Sequence, residues 1–542
     1  MSVNDPFGRR RFLAGAGMAA AAVGIAGPAK ALQAVGPQGS ESTLPFRGEG
    51  KRPMNLILYF TDELRADALA CYGNPVTRTP NFDRLAREGA RFAECHVQNP
   101  VCAQSRCSLL TGWPTSVRGH RSLFYLLRPN EPNMFRYLKN AGYDVFFFGK
   151  NDALTPESFA NSVTEWKDLT AGSPAGATGG VRAMKSDGPT TMLFPGGADR
   201  RKTADYPMVQ EAIKVLERRE SDRPFCIFLP LFQPHPPYLA PEGFDKMYNP
   251  GDLPALVPPN LPNKPNFHQA IRETYRLNEA SDATLREVRA AYYGQVSYSD
   301  WLLGELLEAM ERTGRDKDTA LIVSSDHGDW AGDYGLIEKW PSALDSCLTH
   351  VPLIARVPGG RAGTVSNGMV ELYDIMATFL ELAGTRATHT NFARSLLPVI
   401  NGGAPDMDRA AFSEGGYNIY EPQAFEPKLG GLYAPKTDLQ NDRPETITRA
   451  ASIKTQRWSY VARPAGQSEL YDRKADPAER RNLIADRSHE RVREELQQRL
   501  LNWYVDTSGV PEEYRDSRDM PRFIRNPTFP DAAARTQSLL DR

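Results

Sequence analysis

Several features that define common protein classes are scarce in this sequence. Its 542 residues include six cysteines, and no two of them have the CxxC spacing of a structural zinc site or a redox motif. So few cysteines in so long a chain exclude a disulfide scaffold. Lysine and arginine (65) nearly balance aspartate and glutamate (66) without a basic block, so we expect no nucleic-acid partner. A hydrophobic fraction of 41% is enough for a large buried core.

Strongly apolar runs are also missing near the N-terminus. Three arginines at positions 9–11 precede residues 12–29, which carry no charge and are mostly alanine and glycine. These residue types contribute too little transfer free energy for a membrane span, so we expect no stable membrane anchor. The paired arginines and the small-x-small ending at 29–31 resemble a twin-arginine export signal. We expect cleavage after Ala31, the Tat export machinery as a partner, and a periplasmic mature protein. Because four basic residues and one acidic residue leave with the signal, the net charge of the mature protein is −4.

Four apolar segments are predicted to be buried strands that end in polar residues. They cover 54–61, 144–148, 224–229 and 319–325, and they lead into Asp62-Glu63, Gly149-Lys150, a proline-rich turn with His235, and Asp326-His327. Helical patterns lie between them, over 79–89, 133–141 and 285–313. This alternation predicts an α/β fold with a large, mostly parallel sheet flanked by helices. Ligands of such sheets bind at the carboxyl ends of the strands, where these polar residues fall.

The chain is predicted to divide into five parts. Residues 1–31 form the signal peptide, 32–52 a linker, 53–405 the catalytic α/β domain, 406–505 a smaller C-terminal α+β subdomain, and 506–542 an extended tail. Residues 171–205 and 421–447 have irregular compositions rich in turn-forming residues. We interpret both as long surface loops that shape a substrate pocket.

Two pairs of adjacent polar residues at predicted strand ends can serve as metal ligands. Asp62-Glu63 and Asp326-His327 offer carboxylate oxygens and an imidazole on rigid backbone, as a divalent cation requires. Strand ends are commonly polar, and one such pair alone is more often a turn than a metal site. Two pairs favour the metal site but leave both interpretations open.

The stretch from Asn99 to Gly112 reads NPVCAQSRCSLLTG and carries the most specific pattern in the chain. It resembles the signature of the type I sulfatases, formylglycine-dependent members of the alkaline-phosphatase superfamily, in which Cys-x-Pro-Ser-Arg precedes a Leu-Thr-Gly element. Further motifs similar to those of that family follow in the same order along most of the mature chain. They are Asp62-Glu63, Tyr72-Gly73 with residues 80–85, Gly149-Lys150, and residues 234–238 (PHPPY), 325–328 (SDHG), 333–339 and 469–472 (ELYD).

The resemblance implies a chemistry centred on Cys102. In type I sulfatases the matching cysteine is oxidised by a formylglycine-generating enzyme, and the hydrated aldehyde attacks the sulfur of a sulfate ester. The resemblance also implies a divalent cation that activates this nucleophile and neutralises sulfate oxygens. Its ligands would be Asp62, Glu63, Asp326, His327 and the group at position 102. Oxygen ligands favour Ca²⁺, and the imidazole of His327 makes Mn²⁺ the alternative.

Four basic residues match the substrate-handling positions of the family. By this resemblance Arg106 would steady the nucleophile, and Lys150, His235 and Lys339 would bind sulfate oxygens. Either His235 or Lys339 would protonate the departing oxygen. Taken alone, each lysine is expected to be solvated and His235 to be structural, so these roles depend on the order of the motifs.

Several residues depart from the family pattern. Gln104 replaces the proline of the modification motif, and Asn151-Asp152 replaces a common Trp-His, which makes Asp152 a candidate substrate contact or base. His327 replaces the asparagine of many sulfatases and is similar to the phosphonate monoester hydrolase branch. His120, just beyond the signature, is a further candidate for substrate contact.

The resemblance therefore implies a periplasmic sulfuric ester hydrolase that cleaves a sulfate monoester. A phosphonate monoester or phosphodiester hydrolase is the first alternative because of His327, although Lys150 suits a sulfate better. A non-catalytic sulfated-glycan binder with unmodified Cys102 is the second, because of Gln104 and Asp152. Aryl, carbohydrate and small alkyl sulfates all fit the motifs.

Overall fold

The computed structural model describes residues 53–168, 188–194, 196–197, 199–218 and 221–510, which belong to one compact unit. Eight strands form a central sheet: β1 (Asn55–Asp62), β2 (Ala90–His96), β3 (Asp144–Gly149), β4 (Glu165–Asp168), β5 (Phe225–Pro234), β6 (Thr319–Ser325), β7 (His350–Arg356) and β8 (Thr364–Glu371). Their spatial order is β4-β3-β5-β1-β6-β7-β2-β8. Strand β7 runs antiparallel to both neighbours, and the other pairings are parallel. The predicted large, mostly parallel sheet is confirmed.

Helices cover both faces of this sheet. They are α1 (Pro80–Glu88), α2 (Cys102–Thr111), α3 (Met134–Asn140), α4 (Phe159–Ser162), α5 (Asp205–Arg218), α6 (Asn266–Thr274), α7 (Asp282–Arg312), α8 (Ser346–Thr349), α9 (Asp374–Leu382), α10 (Leu397–Ile400), α11 (Ala434–Asp442) and α12 (Glu490–Thr507). Along β1, Ile57 and Tyr59 join one hydrophobic core, whereas Leu56, Leu58 and Phe60 join the other. A central parallel strand is apolar on both sides because each side packs against helices.

A smaller antiparallel sheet and helix α12 form the C-terminal part. Its strands are β9 (Ala411–Gly415), β10 (Ala450–Lys454), β11 (Trp458–Ala462) and β12 (Glu469–Asp472), in the order β12-β11-β10-β9. Leu496, Leu500 and Trp503 of α12 share a core with Ile453 and Leu470 of the sheet. The predicted smaller α+β part is confirmed.

The interpretation of residues 421–447 as an irregular loop is wrong in part, because α11 spans Ala434–Asp442. Proline at position 435 stands in the first turn, where it is well tolerated. The helix buries the polar residues Lys436, Thr437 and Gln440, so its sequence has no apolar periodicity that would have indicated it.

Some predicted segments lie outside the described residues: the signal peptide, the linker, residues 171–187 of the first loop, and residues 511–542 of the tail. Across the ranges given above, no helix combines the length and the apolar character that a bilayer crossing requires.

Candidate active site

The central strands bring four predicted site residues to one edge of the sheet. Strand β1 ends at Asp62, and its neighbours β5 and β6 end directly before His235 and Asp326. Strand β3, beside β5, ends directly before Lys150. Because these strands are parallel, their carboxyl ends open on the same side of the sheet.

Cys102, the first residue of α2, points at these strand ends. Its Sγ lies 3.2 Å from His327 Nε2, 3.5 Å from Asp62 Oδ1 and 3.6 Å from Lys150 Nζ. Burial, reinforced by the charge of Asp62, raises the pKa of the Cys102 thiol well above its usual value. In the absence of a cation, these surroundings therefore favour the protonated thiol.

Arg106 follows Cys102 by one helical turn and ties three parts of the site together. Its Nε donates to Asp326 Oδ2 at 2.8 Å, and its Nη2 donates to Asp62 Oδ2 at 2.9 Å. Its Nη1 donates to the carbonyl of Lys150 at 2.9 Å. Burial alone would lower the pKa of Arg106, but the two aspartates raise it above its usual range. The guanidinium is thus a permanent cation that fixes both carboxylates.

Asp62, Cys102, Asp326 and His327 form a group suited to a cation, since one ligand atom of each lies within 4.8 Å of the others. The Nδ1 of His327 donates to the Gly328 carbonyl at 2.9 Å, so its Nε2 keeps a lone pair for the group. Burial lowers the pKa of His327, which favours the neutral imidazole. Two carboxylates and a neutral imidazole are a donor set for a divalent cation, so these residues fit the implied metal.

Glu63, also predicted as a metal ligand, faces a different set of partners. Its backbone lies in the left-handed region (φ 66°), and its carboxylate contacts Lys339 Nζ and lies 3.2 Å from His235 Nε2. With Asp62 and His235 it forms a second set of possible cation ligands. Its Oε2 is buried and has no hydrogen-bond partner among the described residues. Burial, reinforced by the charge of Asp329 and opposed by Lys339, raises the pKa of Glu63 well above its usual value.

Two lysines and one histidine supply the remaining chemistry. Lys150 Nζ lies 2.6 Å from Asp62 and 3.0 Å from Asp152, and Lys339 Nζ lies 3.0 Å from His235 Nε2. Burial alone would lower the pKa of each lysine. Instead, Asp152 and Asp62 raise the pKa of Lys150. The carboxylate of Glu63 raises the pKa of Lys339. Burial and the charge of Lys339 lower the pKa of His235, which keeps it neutral.

A glycine makes the position of Lys150 possible. Gly149 has φ 142°, and a Cβ on it would lie 2.2 Å from the carbonyl oxygen of Pro230. This close approach allows the backbone N–H of Lys150 to donate to the same oxygen at 2.7 Å. The Gly-Lys pair is therefore a structural unit, because any side chain at 149 would push β3 away from β5.

His120 makes its polar contacts outside these groups. Its Nδ1 donates to the Tyr125 carbonyl at 2.6 Å, and its Nε2 lies 3.3 Å from Glu131. Burial alone would lower the pKa of His120, but Cys107 and Glu131 raise it to about 10. The structure thus brings the predicted catalytic and metal-binding residues and Asp152 together, and places His120 in a separate ion pair.

Three residues that the sequence did not indicate adjoin the site. Glu338 lies 3.3 Å from Lys339 Nζ and 2.8 Å from Lys436 Nζ, both through Oε1. The Tyr433 hydroxyl donates to the Pro236 carbonyl at 3.3 Å, the oxygen that also accepts from His235 Nδ1. Glu338 has a left-handed backbone (φ 62°), and Tyr433 and Lys436 come from the segment interpreted as a loop. Tyr433 and Lys436 stand in no motif, whereas Glu338 lies inside the motif at 333–339, directly before Lys339.

Known proteins are similar to this chain in sequence. The sequence model of the sulfatase family matches residues 54–385, more than half of the chain. A multifunctional alkaline phosphatase superfamily protein of Trinickia caryophylli is 27% identical, over 83% of this chain and 95% of its own length. An N-acetylglucosamine-6-O-sulfatase of Bacteroides thetaiotaomicron is 25% identical, over 84% of this chain and 87% of its own length.

Solved structures share the fold. A phosphonate monoester hydrolase of Agrobacterium radiobacter superimposes with a TM-score of 0.69 over 84% of this chain and 96% of its own, at 23% identity. Because the family match covers more than half of the chain and includes the strand ends, Cys102 and Asp326, the chain belongs to the sulfatase family.

Proposed function

We propose that this sulfatase-family enzyme hydrolyses a sulfate monoester with a formylglycine derived from Cys102 and a bound divalent cation. The observation that carries the proposal is the position of Cys102 Sγ, within 3.6 Å of His327, Asp62 and Lys150. An oxygen nucleophile on the same carbon would be within reach of both the cation ligands and an ammonium.

The bound cation would supply a Lewis acid and the formylglycine a hydroxyl nucleophile. The residues of the chain prepare both groups. Asp62, Asp326 and His327 would hold the cation, and Arg106 keeps the two aspartates in place. Lys150 and Lys339 place two ammonium groups where negative charge develops on the sulfate oxygens.

Lys339 is better suited than His235 to protonate the departing oxygen. The Nδ1 hydrogen of His235 is directed at the Pro236 carbonyl, 2.6 Å away, so its Nε2 accepts a hydrogen bond from Lys339. Its lowered pKa keeps a second proton off the ring. Lys339 therefore holds the proton, and His235 orients it.

We propose a sulfated carbohydrate as the substrate class. The relative from Bacteroides thetaiotaomicron acts on the 6-O-sulfate of N-acetylglucosamine by its name, which supports a sugar as the leaving group. Asp152 supports it too, because its half-buried carboxylate beside Lys150 offers an acceptor for a hydroxyl next to the ester. A sugar has such hydroxyls, whereas a simple phenol has none.

We also propose the maturation route. The N-terminal arginines and the small-x-small ending support export by the Tat machinery to the periplasm, and Cys102 requires a formylglycine-generating enzyme. Ca²⁺ is the first candidate for the cation because carboxylate oxygens dominate the ligands, and Mn²⁺ is the second because of His327.

Phosphonate monoester or phosphodiester hydrolysis is the second candidate function, favoured by His327. The kcat/KM values for 4-nitrophenyl sulfate, a phenyl phosphonate monoester and a bis-aryl phosphate separate the two. We expect the sulfate to be preferred. A clear preference for either phosphorus ester would replace the first function by the second.

The proposed nucleophile is tested by the intact mass of the Cys102 peptide from protein purified from its native host. Conversion exchanges sulfur for oxygen and lowers the mass, and sulfate release should scale with the converted fraction. Fully unmodified thiol in active protein would refute the formylglycine.

A further inference from the structure

We propose that Asp205 and Gln295 are positioning residues of the active site, which hold His235 against Lys339 from two sides. Asp205 begins α5 and Gln295 lies in α7, and both bind backbone groups of residues 232–237, which we call the histidine segment. The inference rests on the proposed function, in which His235 orients the ammonium group that protonates the departing oxygen.

Strand β5 leaves its regular pairing just before it reaches the histidine. Pro230 is paired with Phe60 and Pro234 with Asp62, so three residues of β5 stand opposite a single residue of β1. Such a bulge takes N–H groups out of the sheet ladder and changes the direction of the side chains that follow it. The position of His235 therefore depends on what holds the bulge.

The carboxylate of Asp205 binds this bulge. One of its oxygens accepts from the N–H of Phe232 at 2.7 Å, and the other accepts from the N–H of Gln233 at 2.8 Å. The Phe232 carbonyl in turn accepts from the N–H of His235 at 3.0 Å. Asp205 is 1% exposed, and hydrogen bonds to a carboxylate are strong where water is excluded. One side chain thus fixes the turn that ends at His235.

Gln295 holds the other side of the histidine. Its Nε2 donates to the carbonyl of His235 at 3.3 Å and to the carbonyl of Pro237 at 3.1 Å. The side chain is fully buried in the interior of α7, the longest helix of the described part of the chain. Side chains from two different helices therefore bind the backbone before and after the imidazole.

The backbone of the histidine segment sets the place of the imidazole. The Phe232 ring packs against the His235 ring with their centroids 4.8 Å apart, and Lys150 Nζ lies 5.9 Å from the centre of the same phenyl ring. On its other side, His235 Nε2 lies 3.0 Å from Lys339 Nζ. A shift of the bulge would move the phenyl ring and the imidazole together and lengthen the contact with Lys339. The residues that hold the bulge therefore act on proton transfer through His235.

The first test compares two esters whose leaving groups differ in basicity, with the metal-loaded full chain. Asp205→Asn keeps the size of the side chain but replaces one acceptor oxygen by a donor, so one of the two hydrogen bonds is lost. We expect kcat/KM to fall at least about tenfold for phenyl sulfate and at most about threefold for 4-nitrophenyl sulfate. Phenoxide is the more basic leaving group, and its departure depends more on protonation.

A loss of folded protein would lower both kcat/KM values equally, because it does not depend on the leaving group. Equal losses for the two esters, or no loss for either, would overturn the proposal.

Asp300→Asn is the matched control. Asp300 is also buried, at 2% exposure, and accepts from two consecutive backbone N–H groups, those of Asn81 at 2.9 Å and Phe82 at 2.8 Å, at the start of α1. This variant should lower the unfolding midpoint, yet keep the ratio of the two kcat/KM values within about twofold of the parent. The leaving-group dependence of Asp205→Asn in this control would refute the proposal, because the effect would then not require the histidine segment.

Gln295→Met tests the second contact and decides the matter if Asp205→Asn does not fold. It keeps the length of the side chain but removes both donated hydrogen bonds. The loss of kcat/KM for phenyl sulfate should exceed the loss for 4-nitrophenyl sulfate by at least about threefold. Equal losses for the two esters would count against positioning here as well.

Crystal structures of the parent and the variants separate a failure of this proposal from a failure of the proposed function. In Asp205→Asn the distance from His235 Nε2 to Lys339 Nζ should exceed that of the parent by at least about 0.5 Å, whereas Asp300→Asn should match the parent. An unchanged distance in Asp205→Asn would overturn the positioning role. If the parent releases no sulfate from any ester, the proposed function fails, and these distances alone decide whether Asp205 positions His235.

Discussion

The active site has two sides whose residues are held in different ways. The metal side consists of Asp62, Cys102, Arg106, Asp326 and His327, and the lysine side consists of Glu63, His235, Glu338, Lys339 and Lys436. On the metal side, both aspartates share Arg106, and Asp326 also accepts from the backbone N–H groups of Glu63 and His327. On the lysine side, carboxylates and ammonium groups alternate from Glu63 through Lys339 and Glu338 to Lys436.

This difference indicates which side is fixed and which side responds to the substrate. Glu63 and Glu338 each have one buried carboxylate oxygen without a hydrogen-bond partner in the described part of the chain. Both residues also adopt left-handed backbone, with φ of 66° and 62°. Unpaired buried acceptors and strained backbone are costly, and they concentrate where a site does chemistry. The metal side is thus fixed by shared hydrogen bonds, whereas the lysine side leaves two buried acceptor oxygens without a donor among the described residues.

The largest effect is expected from the nucleophile on the metal side. Cys102→Ala should lower kcat for sulfate release by at least about 10⁴-fold, because the proposed hydroxyl nucleophile belongs to this residue. The variant should keep the parent's unfolding midpoint within a few degrees, since the change removes only the end of one small side chain at a buried helix terminus. Sulfate release at the parental rate would show that the reaction does not pass through position 102.

Arg106→Met should have the largest effect on stability. It leaves Asp62 and Asp326 buried without the guanidinium group that contacts both of them, so we expect the free energy of unfolding to fall by about 3–5 kcal/mol. Urea unfolding of the full chain measures this loss. Arg106→Lys is the control and should recover part of it through one retained charge. A loss below about 1 kcal/mol would mean that the two carboxylates do not depend on Arg106.

A smaller effect is expected at the far end of the lysine side. Lys436→Met should lower kcat about tenfold with little change in KM. The substitution removes the Lys436 ammonium, the closer of the two that contact Glu338, so Glu338 pairs with Lys339 alone. Lys339 then gives up its proton less readily. Lys428→Met, in the same segment but 53% exposed and paired with Asp442, is the matched control and should behave as the parent. An equal response of the two variants would remove Lys436 from the lysine side.

The smallest effect is expected at His120, which belongs to neither side. Its pKa in the folded chain, about 10, is above the usual 6.5, so the stabilisation from its charge is full below about pH 6.5 and is lost as the pH rises through about 10. The free energy of unfolding of the parent should fall over this range relative to His120→Gln. Parallel pH profiles for the two proteins would contradict the raised pKa of His120.

The metal side could be predicted from sequence because every member stands in a short motif at a strand end or at the start of a helix. Parallel strands then bring Asp62 and Asp326 together without further information. Lys436 could not be predicted, since it contacts a residue 98 positions away, from a helix without apolar periodicity. The nearness of His120 to the signature in sequence predicts a substrate contact, but the chain turns its side chain towards Glu131.

The reach of segment 421–447 into the site has a consequence for fragments of this enzyme. A chain cut at residue 405 would keep the signature cysteine, all motif lysines and every predicted cation ligand, and in an alignment it would look complete. It would nevertheless lack the Lys436 ammonium on Glu338 and the Tyr433 hydroxyl on the Pro236 carbonyl. Chimeras that exchange C-terminal parts between relatives would therefore exchange part of the catalyst as well, and their activity would depend on which lysine and tyrosine the donor brings.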